Sequence, residues 1–86
     1  MMYDIMCGAI SSRLDDALKN AKISVCYIKK KDRLEVKIKP IFFDREFITG
    51  YVFFTELIHT GSSGYQIAEN VIKQYRRWVN NNFFKN

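Results

Sequence analysis

The chain has 86 residues, the length of one small domain, and a domain of this size buries only a thin core. Its 14 basic and nine acidic residues leave a net charge of +5. One histidine and two cysteines are too few for a structural zinc site, and no apolar run is long enough to span a membrane. We therefore expect one domain over residues 1–86 that needs no metal or cofactor and is cytoplasmic, with Cys7 and Cys26 reduced and mostly buried.

The first predicted element is a helix over residues 9–21, because apolar residues recur there at helical spacing on one face. Two starts compete for this helix. Ser12 followed by Asp15 is a weak capping pattern, whereas Asp4 would cap a longer helix. Gly8 favours the shorter form, since glycine is a poor helix former. The sequence leaves the start open.

Two alternating segments then predict a β-hairpin. Residues 23–28 and 34–39 each place apolar side chains on one face and polar ones on the other. The tip between them is residues 29–33. Pro40 is expected to end or bend the second strand, because proline lacks the N–H that a strand ladder needs.

Residues 47–58 predict a third strand whose two faces are both largely apolar. In an antiparallel sheet with one solvated face, that pattern is unexpected. Either helices cover both faces, or a partner chain covers one of them, as in a homodimer or a complex with another protein. The residues that we predict for such an interface are Phe47, Tyr51, Phe53 and Phe54.

A final helix is predicted to begin at Ser63, because Gln66 completes a capping-box pattern ahead of an apolar stripe that runs to Val79. Residues 80–82, three asparagines, are expected to fray its end. The two aromatic residues that follow, Phe83-Phe84, are expected either to dock back or to meet a partner.

The element order is thus α-β-β-β-α. It predicts an α+β fold in which a three-stranded antiparallel meander packs against one or two helices. Double-stranded RNA-binding domains share this order, but that family places lysines at the start of its last helix, where residues 63–69 carry none. An element order by itself is an analogy, so it assigns no family.

Positive charge is concentrated in residues 29–39, with six basic and two acidic residues, and in residues 61–86, with four basic and one acidic. Clustered cations bind nucleic acid through its phosphates, and Tyr27 beside the first block could stack on a base. The plainer interpretations are a solvated turn that protects a sheet edge and cations that complement a helix dipole. The predicted nucleic-acid-binding residues are Lys29, Lys30, Lys31, Arg33, Lys37, Lys39, Lys73, Arg76 and Arg77.

These features predict a small non-enzymatic binding protein that meets DNA or RNA through its basic β-hairpin. The alternative is a protein-interaction regulator or inhibitor, of the type carried by phages and mobile elements, that docks on a larger partner. A ribonuclease built from His59, Tyr65 and Arg76 is a third hypothesis, but no spacing selects it. The loop at residues 61–64 lacks the lysine of a P-loop and is typical of an ordinary helix start.

Overall fold

The computed structural model describes residues 2–83, which form three α-helices and one three-stranded antiparallel sheet of strand order β1-β2-β3. The α+β class and the antiparallel meander are therefore confirmed. A 3₁₀ turn at Lys29–Lys31 joins the first two strands. The elements in chain order are α1 (Met2–Ala17), β1 (Ala21–Ile28), β2 (Arg33–Pro40), β3 (Phe47–Tyr51), α2 (Phe54–His59) and α3 (Gly64–Phe83).

The core lies between one face of the sheet and the two long helices, α1 and α3, which also pack against each other. Strand β2 is central, and its inward side chains Leu34, Val36 and Ile38 are completely buried. The register pairs Val25 with Val36, so inward side chains of neighbouring strands lie side by side. The opposite face, which we call the open face, carries none of the core residues.

Helix α1 takes the longer of its two predicted forms and already includes Met2. Tyr3 and Met6 extend the apolar stripe toward the N-terminus and pack against the core, in which Ile10 is fully buried. Gly8 is exposed and a Cβ there would meet no neighbour within 4 Å, so its cost is limited to its helix propensity, about 1 kcal/mol relative to alanine. The gain in packing outweighs that cost.

The predicted third strand is wrong beyond Tyr51, where β3 ends. Phe53 adopts left-handed backbone angles (φ 54°, ψ 45°), which redirect the chain into α2. Within α2, Phe54 is fully buried, and Leu57 and Ile58 pack against the core beside it. They follow Phe54 by three and four residues, which is the spacing of a helix. Because the residues between Tyr51 and Phe54 are also apolar, the same segment fits a strand pattern, and the sequence did not distinguish the two.

The two later helices begin in different ways. At α3 the predicted capping box is confirmed, because Gln66 N–H donates to Ser63 Oγ at 3.1 Å and Ser63 N–H donates to Gln66 Oε1 at 3.2 Å. At α2 no side chain of the preceding residue caps the helix. Asp32 does so from the hairpin tip, where its carbonyl accepts Phe54 N–H at 2.9 Å and its Oδ1 accepts Thr55 N–H at 3.0 Å.

Helix α3 continues through residues 80–82, which were expected to fray, and ends at Phe83. The side-chain amide of Asn82 donates to the Trp78 carbonyl at 2.7 Å, which satisfies one of the carbonyls that a helix end leaves free. Phe83 docks back, as one of the two predicted outcomes, with its ring centroid 3.8 Å from that of Phe43. Phe84 lies outside the described residues.

Candidate nucleic-acid interface

The open face of the sheet brings basic side chains of two strands together. Lys37 and Lys39 of β2 lie on it, as their alternation predicted, and Arg33 lies at the tip end of the same row. Lys22 of β1 pairs directly with Lys39 in the strand ladder. Like charges directly opposite each other destabilise a sheet, although Lys39 Nζ also donates to the Phe43 carbonyl at 3.3 Å, which relieves part of the repulsion.

Lys22 is absent from the predicted set of binding residues. Strand β1 begins at Ala21, earlier than the predicted start, so Lys22 was not counted as part of the hairpin. The alternation of strand residues between the two faces could have identified it, because it places Lys22 on the same face as Ser24 and Cys26. All three side chains are exposed there.

Two carboxylates form ion pairs with these lysines, but the cations of the open face outnumber them. Lys37 Nζ lies 3.8 Å from the Glu35 carboxylate, and Lys39 Nζ lies 4.0 Å from Asp44, whose side chain is fully exposed. The pair with Asp44 is exposed and therefore weak, whereas Glu35 is partly buried and offsets more of the charge of Lys37. Among residues 2–83, Lys22 has no carboxylate within 4.0 Å. The open face therefore remains positively charged.

Arg33 lies flat across the neighbouring strand, over Gly50 of β3. A Cβ at Gly50 would stand 2.7 Å from Arg33 Nε and Nη2, so the glycine makes room for the guanidinium. Within the described part of the chain, Arg33 Nε is covered and has no hydrogen-bond partner. A planar guanidinium held in this way presents a rigid fork of donors, the geometry that suits a phosphate.

Lys29–Lys31 are exposed at the hairpin tip, and the carboxylate of the adjacent Asp32 points to Tyr27 and Thr55 instead of to these lysines. Asp32 adopts the left-handed region (φ 45°, ψ 50°), which aspartate tolerates better than most residues, and its N–H donates to the Lys29 carbonyl at 3.2 Å. Its Oδ1 accepts the hydroxyls of Tyr27 and Thr55, both at 2.7 Å. Among the residues described, the three tip lysines have no carboxylate within 4.0 Å.

This hydrogen-bond network keeps Asp32 ionised. The hydroxyl of Thr55, followed by that of Tyr27, donates to the carboxylate and holds the pKa of Asp32 below its usual value. The pKa of Tyr27 is raised, chiefly because its hydroxyl donates to Asp32. The Tyr27 ring is stacked on Tyr3, with centroids 4.5 Å apart, so it is already occupied on that face and is a poor platform for a base.

The second basic block lies elsewhere. Lys73, Arg76 and Arg77 are exposed on α3, whose buried residues, such as Tyr75, face the inner side of the sheet. The open face is on the other side of the sheet, so the structure does not bring the two basic blocks together. Lys85 lies outside the described residues.

Of the four residues predicted for an interface, three contribute to packing within the chain. Phe54 is fully buried, Phe47 has its ring centroid 5.8 Å from that of Tyr75, and Tyr51 packs against the core. Phe53 alone among the four is exposed, at 67%. The strand with two apolar faces, which motivated that prediction, does not exist as one element.

The residues of the hypothetical ribonuclease are not brought together. His59 is exposed at the end of α2, and Tyr65 and Arg76 are eleven residues apart on α3, which corresponds to about 16 Å along the helix. Tyr65 instead lies under the guanidinium of Arg13, 5.2 Å from its ring centroid. In the described part of the chain, no cluster of three or more candidate metal ligands occurs.

No protein-family model matches the chain, and no curated protein or solved structure is significantly similar to it. Within residues 2–83, no helix combines the length and the apolar character that crossing a bilayer requires. The candidate interface therefore rests on the geometry of the open face and the hairpin tip.

Proposed function

We propose that this protein is a nucleic-acid-binding domain rather than an enzyme. Its ligand lies on a surface that we call the basic surface, made by the hairpin tip and the open face. The observation that carries the proposal is the register of the hairpin, which sets Lys22 opposite Lys39 at a cost to the sheet. The residues of the basic surface are Lys22, Lys29, Lys30, Lys31, Arg33, Lys37 and Lys39.

A polyanion suits this arrangement better than a single small anion does. The cations extend from the tip along the open face, and the hairpin strands have eight residues each, which gives a length of about 25 Å. That length spans several phosphates of a nucleic-acid strand. Each phosphate that is neutralised releases counterions, so affinity must fall steeply with salt, with a logarithmic slope of up to about −5 if all seven cations contact a single strand.

The test is a titration of labelled DNA and RNA oligonucleotides, followed by fluorescence anisotropy, at 50 and 200 mM salt as the two arms. The variant that replaces Lys29, Lys30 and Lys31 with glutamate should lose most of its affinity. The matched control replaces Lys73, Arg76 and Arg77 with glutamate, because it reverses the same number of charges on the outer side of α3. It should retain most of the affinity of the wild-type protein.

Three outcomes would contradict the proposal. They are wild-type binding that does not depend on salt, a tip variant that binds as tightly as wild type, and an equal loss of affinity in both variants. The last result would mean that net charge alone governs binding and that the basic surface has no special part in it.

A second measurement locates the ligand on the open face. Cys26 was expected to be mostly buried but is exposed there, whereas Cys7 on α1 is half-buried. In a Cys7→Ser variant, a bound oligonucleotide should slow the reaction of the Cys26 thiol with a maleimide. An unchanged labelling rate at saturating oligonucleotide would place the ligand away from the open face.

A protein-interaction role is the second candidate, and a groove at the other end of the molecule favours it. The groove has a volume of about 410 Å³ and lies between the end of α1 and α3, with Leu18, Phe42 and Val79 among its apolar lining. Phe42 is 64% exposed, and Lys19 and Arg76 lie at the same groove. These features fit an apolar segment with acidic flanks on a larger partner.

Light scattering and partner capture distinguish this candidate from the first. A homodimer that Phe42→Asp converts into a monomer would assign the groove to self-association. A partner that is captured by wild type, lost by Phe42→Asp and retained by the tip variant would favour the regulator hypothesis. Nucleic-acid binding that is unaffected by Phe42→Asp would keep the basic surface as the functional site.

A further inference from the structure

The turn between β3 and α2 exposes two large apolar side chains. Val52 is 59% exposed and Phe53 is 67% exposed. Phe53 also has the left-handed backbone angles that glycine or asparagine adopts more readily than a residue with a bulky side chain. An aromatic ring at such a position neither fills the core nor eases the turn, so the fold does not account for it.

This turn is fixed to the hairpin tip. Phe54 N–H donates to the Asp32 carbonyl at 2.9 Å, and the Thr55 hydroxyl donates to Asp32 Oδ1 at 2.7 Å. Tyr27 donates to the same carboxylate oxygen at 2.7 Å, which joins β1 to the network. Phe54, the residue after Phe53, is thus hydrogen-bonded to Asp32, the residue after Lys31. This bond holds the exposed ring of Phe53 close to the tip lysines.

We infer that Phe53 is a base-stacking side chain and that the ligand of the basic surface is a single-stranded nucleic acid; this inference rests on the proposed function. Single strands are bound by combining cations that follow the phosphates with aromatic rings on which bases stack. In a duplex the bases are already stacked on one another, and a surface ring has no free base face to contact. An exposed ring at the lysine-rich tip thus selects the single strand.

An acid beside the ring restricts the path of the strand. Glu56, in the first turn of α2, lines the same shallow depression as Val52 and Phe53, which has a volume of about 240 Å³. A phosphate is repelled there, so the backbone of the strand has to run on the side of Lys29–Lys31. Glu56→Gln should therefore raise the affinity for a single strand, by about twofold at low salt.

The experiment compares single-stranded DNA, single-stranded RNA and a duplex of equal length at low salt, by anisotropy. Phe53→Asn removes the ring and suits the left-handed backbone, so this variant should remain folded, as circular dichroism and thermal unfolding will show. It should weaken binding of both single strands by about fivefold to a hundredfold and leave the salt slope unchanged. Phe42→Ala is the matched control, because Phe42 is similarly exposed at the opposite end, and it should leave binding unchanged.

Phe53→Trp provides a direct signal. Its indole should bind as tightly as the phenyl ring or more tightly, and its emission should be quenched when an oligonucleotide stacks on it, in excess of any change from Trp78 in the wild-type protein.

Three results would overturn the inference. They are wild-type binding of duplex as tight as that of single strand, binding of single strand by Phe53→Asn as tight as that of wild type, and conversion of a dimer into a monomer by Phe53→Asn. The first two would leave salt-dependent binding by the basic surface intact. The absence of salt-dependent binding to any nucleic acid would instead remove the proposed function itself.

Discussion

The two faces of the central strand β2 lie in different environments. The inward side chains of β2, such as Val36 and Ile38, are completely buried under α1 and α3. The outward ones, Lys37 and Lys39, are half-exposed and touch carboxylates only at 3.8–4.0 Å. Successive residues of a strand point to opposite faces, so a step of one residue moves from the core to the basic surface.

The two faces contribute very different amounts to folding stability, although their residues alternate along one strand. Full burial of a leucine, isoleucine or valine side chain contributes about 1.5–3 kcal/mol to stability. An exposed ion pair contributes about 0–1 kcal/mol. The inward face therefore determines whether the domain folds, and the outward face can change its charge with little effect on folding. This separation is the comparison that the following predictions test.

The largest expected effect is that of Ile38→Ala on the inward face. It leaves a cavity beneath the helices and should lower the free energy of unfolding by about 3 kcal/mol. Lys37→Ala, next to it on the outward face, should change that free energy by less than about 0.5 kcal/mol and weaken nucleic-acid binding. Urea unfolding and an oligonucleotide titration measure the two effects. A large loss of stability in Lys37→Ala would break the distinction between the faces.

The next effect concerns Asp32, which joins the hairpin tip to α2. Asparagine suits the left-handed backbone, and its carbonyl oxygen can still accept the hydroxyls that Thr55 and Tyr27 now donate to Oδ1. Hydrogen bonds to a neutral amide are weaker than those to an ionised carboxylate, and an amide nitrogen in place of Oδ2 cannot accept the Thr55 N–H. Asp32→Asn should therefore lower the midpoint of thermal unfolding at pH 7. The lost contribution comes from a carboxylate whose pKa is lowered by folding.

The dependence on pH tests that assignment. A carboxylate with a lowered pKa in the folded state stabilises the protein above its unfolded pKa, near 3.9, and this contribution is lost as the pH falls through the folded pKa. The difference between wild type and Asp32→Asn should thus narrow below about pH 4. A difference that stays constant from pH 7 to pH 2.5 would mean that the ionised form of Asp32 is not what holds the tip.

Much of the fold was predictable because its signals are local. The alternation in residues 34–39 predicted both faces of β2, and the register confirms it. The pair Ser63 and Gln66 predicted the start of α3, because a capping box is contained within four residues of sequence. Where a structure is determined by neighbours along the chain, the residue pattern was sufficient.

The start of α2 and the role of Lys22 were not predictable in the same way. The cap of α2 comes from Asp32, which is 23 residues before Thr55 in sequence, and Phe53 gives no local turn signal. The role of Lys22 becomes visible only from the pairing of β1 with β2, which places it opposite Lys39. Lys22 precedes the basic block of residues 29–39 in sequence, but β1 carries it to the open face beside that block.

A smaller effect is expected for Glu35, whose side chain is the carboxylate nearest to Lys37. Glu35→Gln removes a negative charge from the open face and keeps the size of the side chain. It should raise the affinity for an oligonucleotide by about twofold to fivefold at low salt and leave the unfolding midpoint nearly unchanged. Glu46→Gln is the control, because Glu46 is exposed in the loop between β2 and β3. Equal gains in both variants would show that only net charge matters.

The smallest effect, and the most specific one, is that of Lys22→Gln. Removing one of two opposed lysines should raise the free energy of unfolding by a few tenths of a kcal/mol at low salt, and the gain should vanish at high salt because the repulsion is screened. The same change should weaken binding to an oligonucleotide. Lys22→Arg, which keeps the charge, should do neither. If Lys22→Gln destabilised the domain, the lysine would serve the fold; a gain in stability together with a loss of binding is expected only if the pair is kept for an anionic ligand.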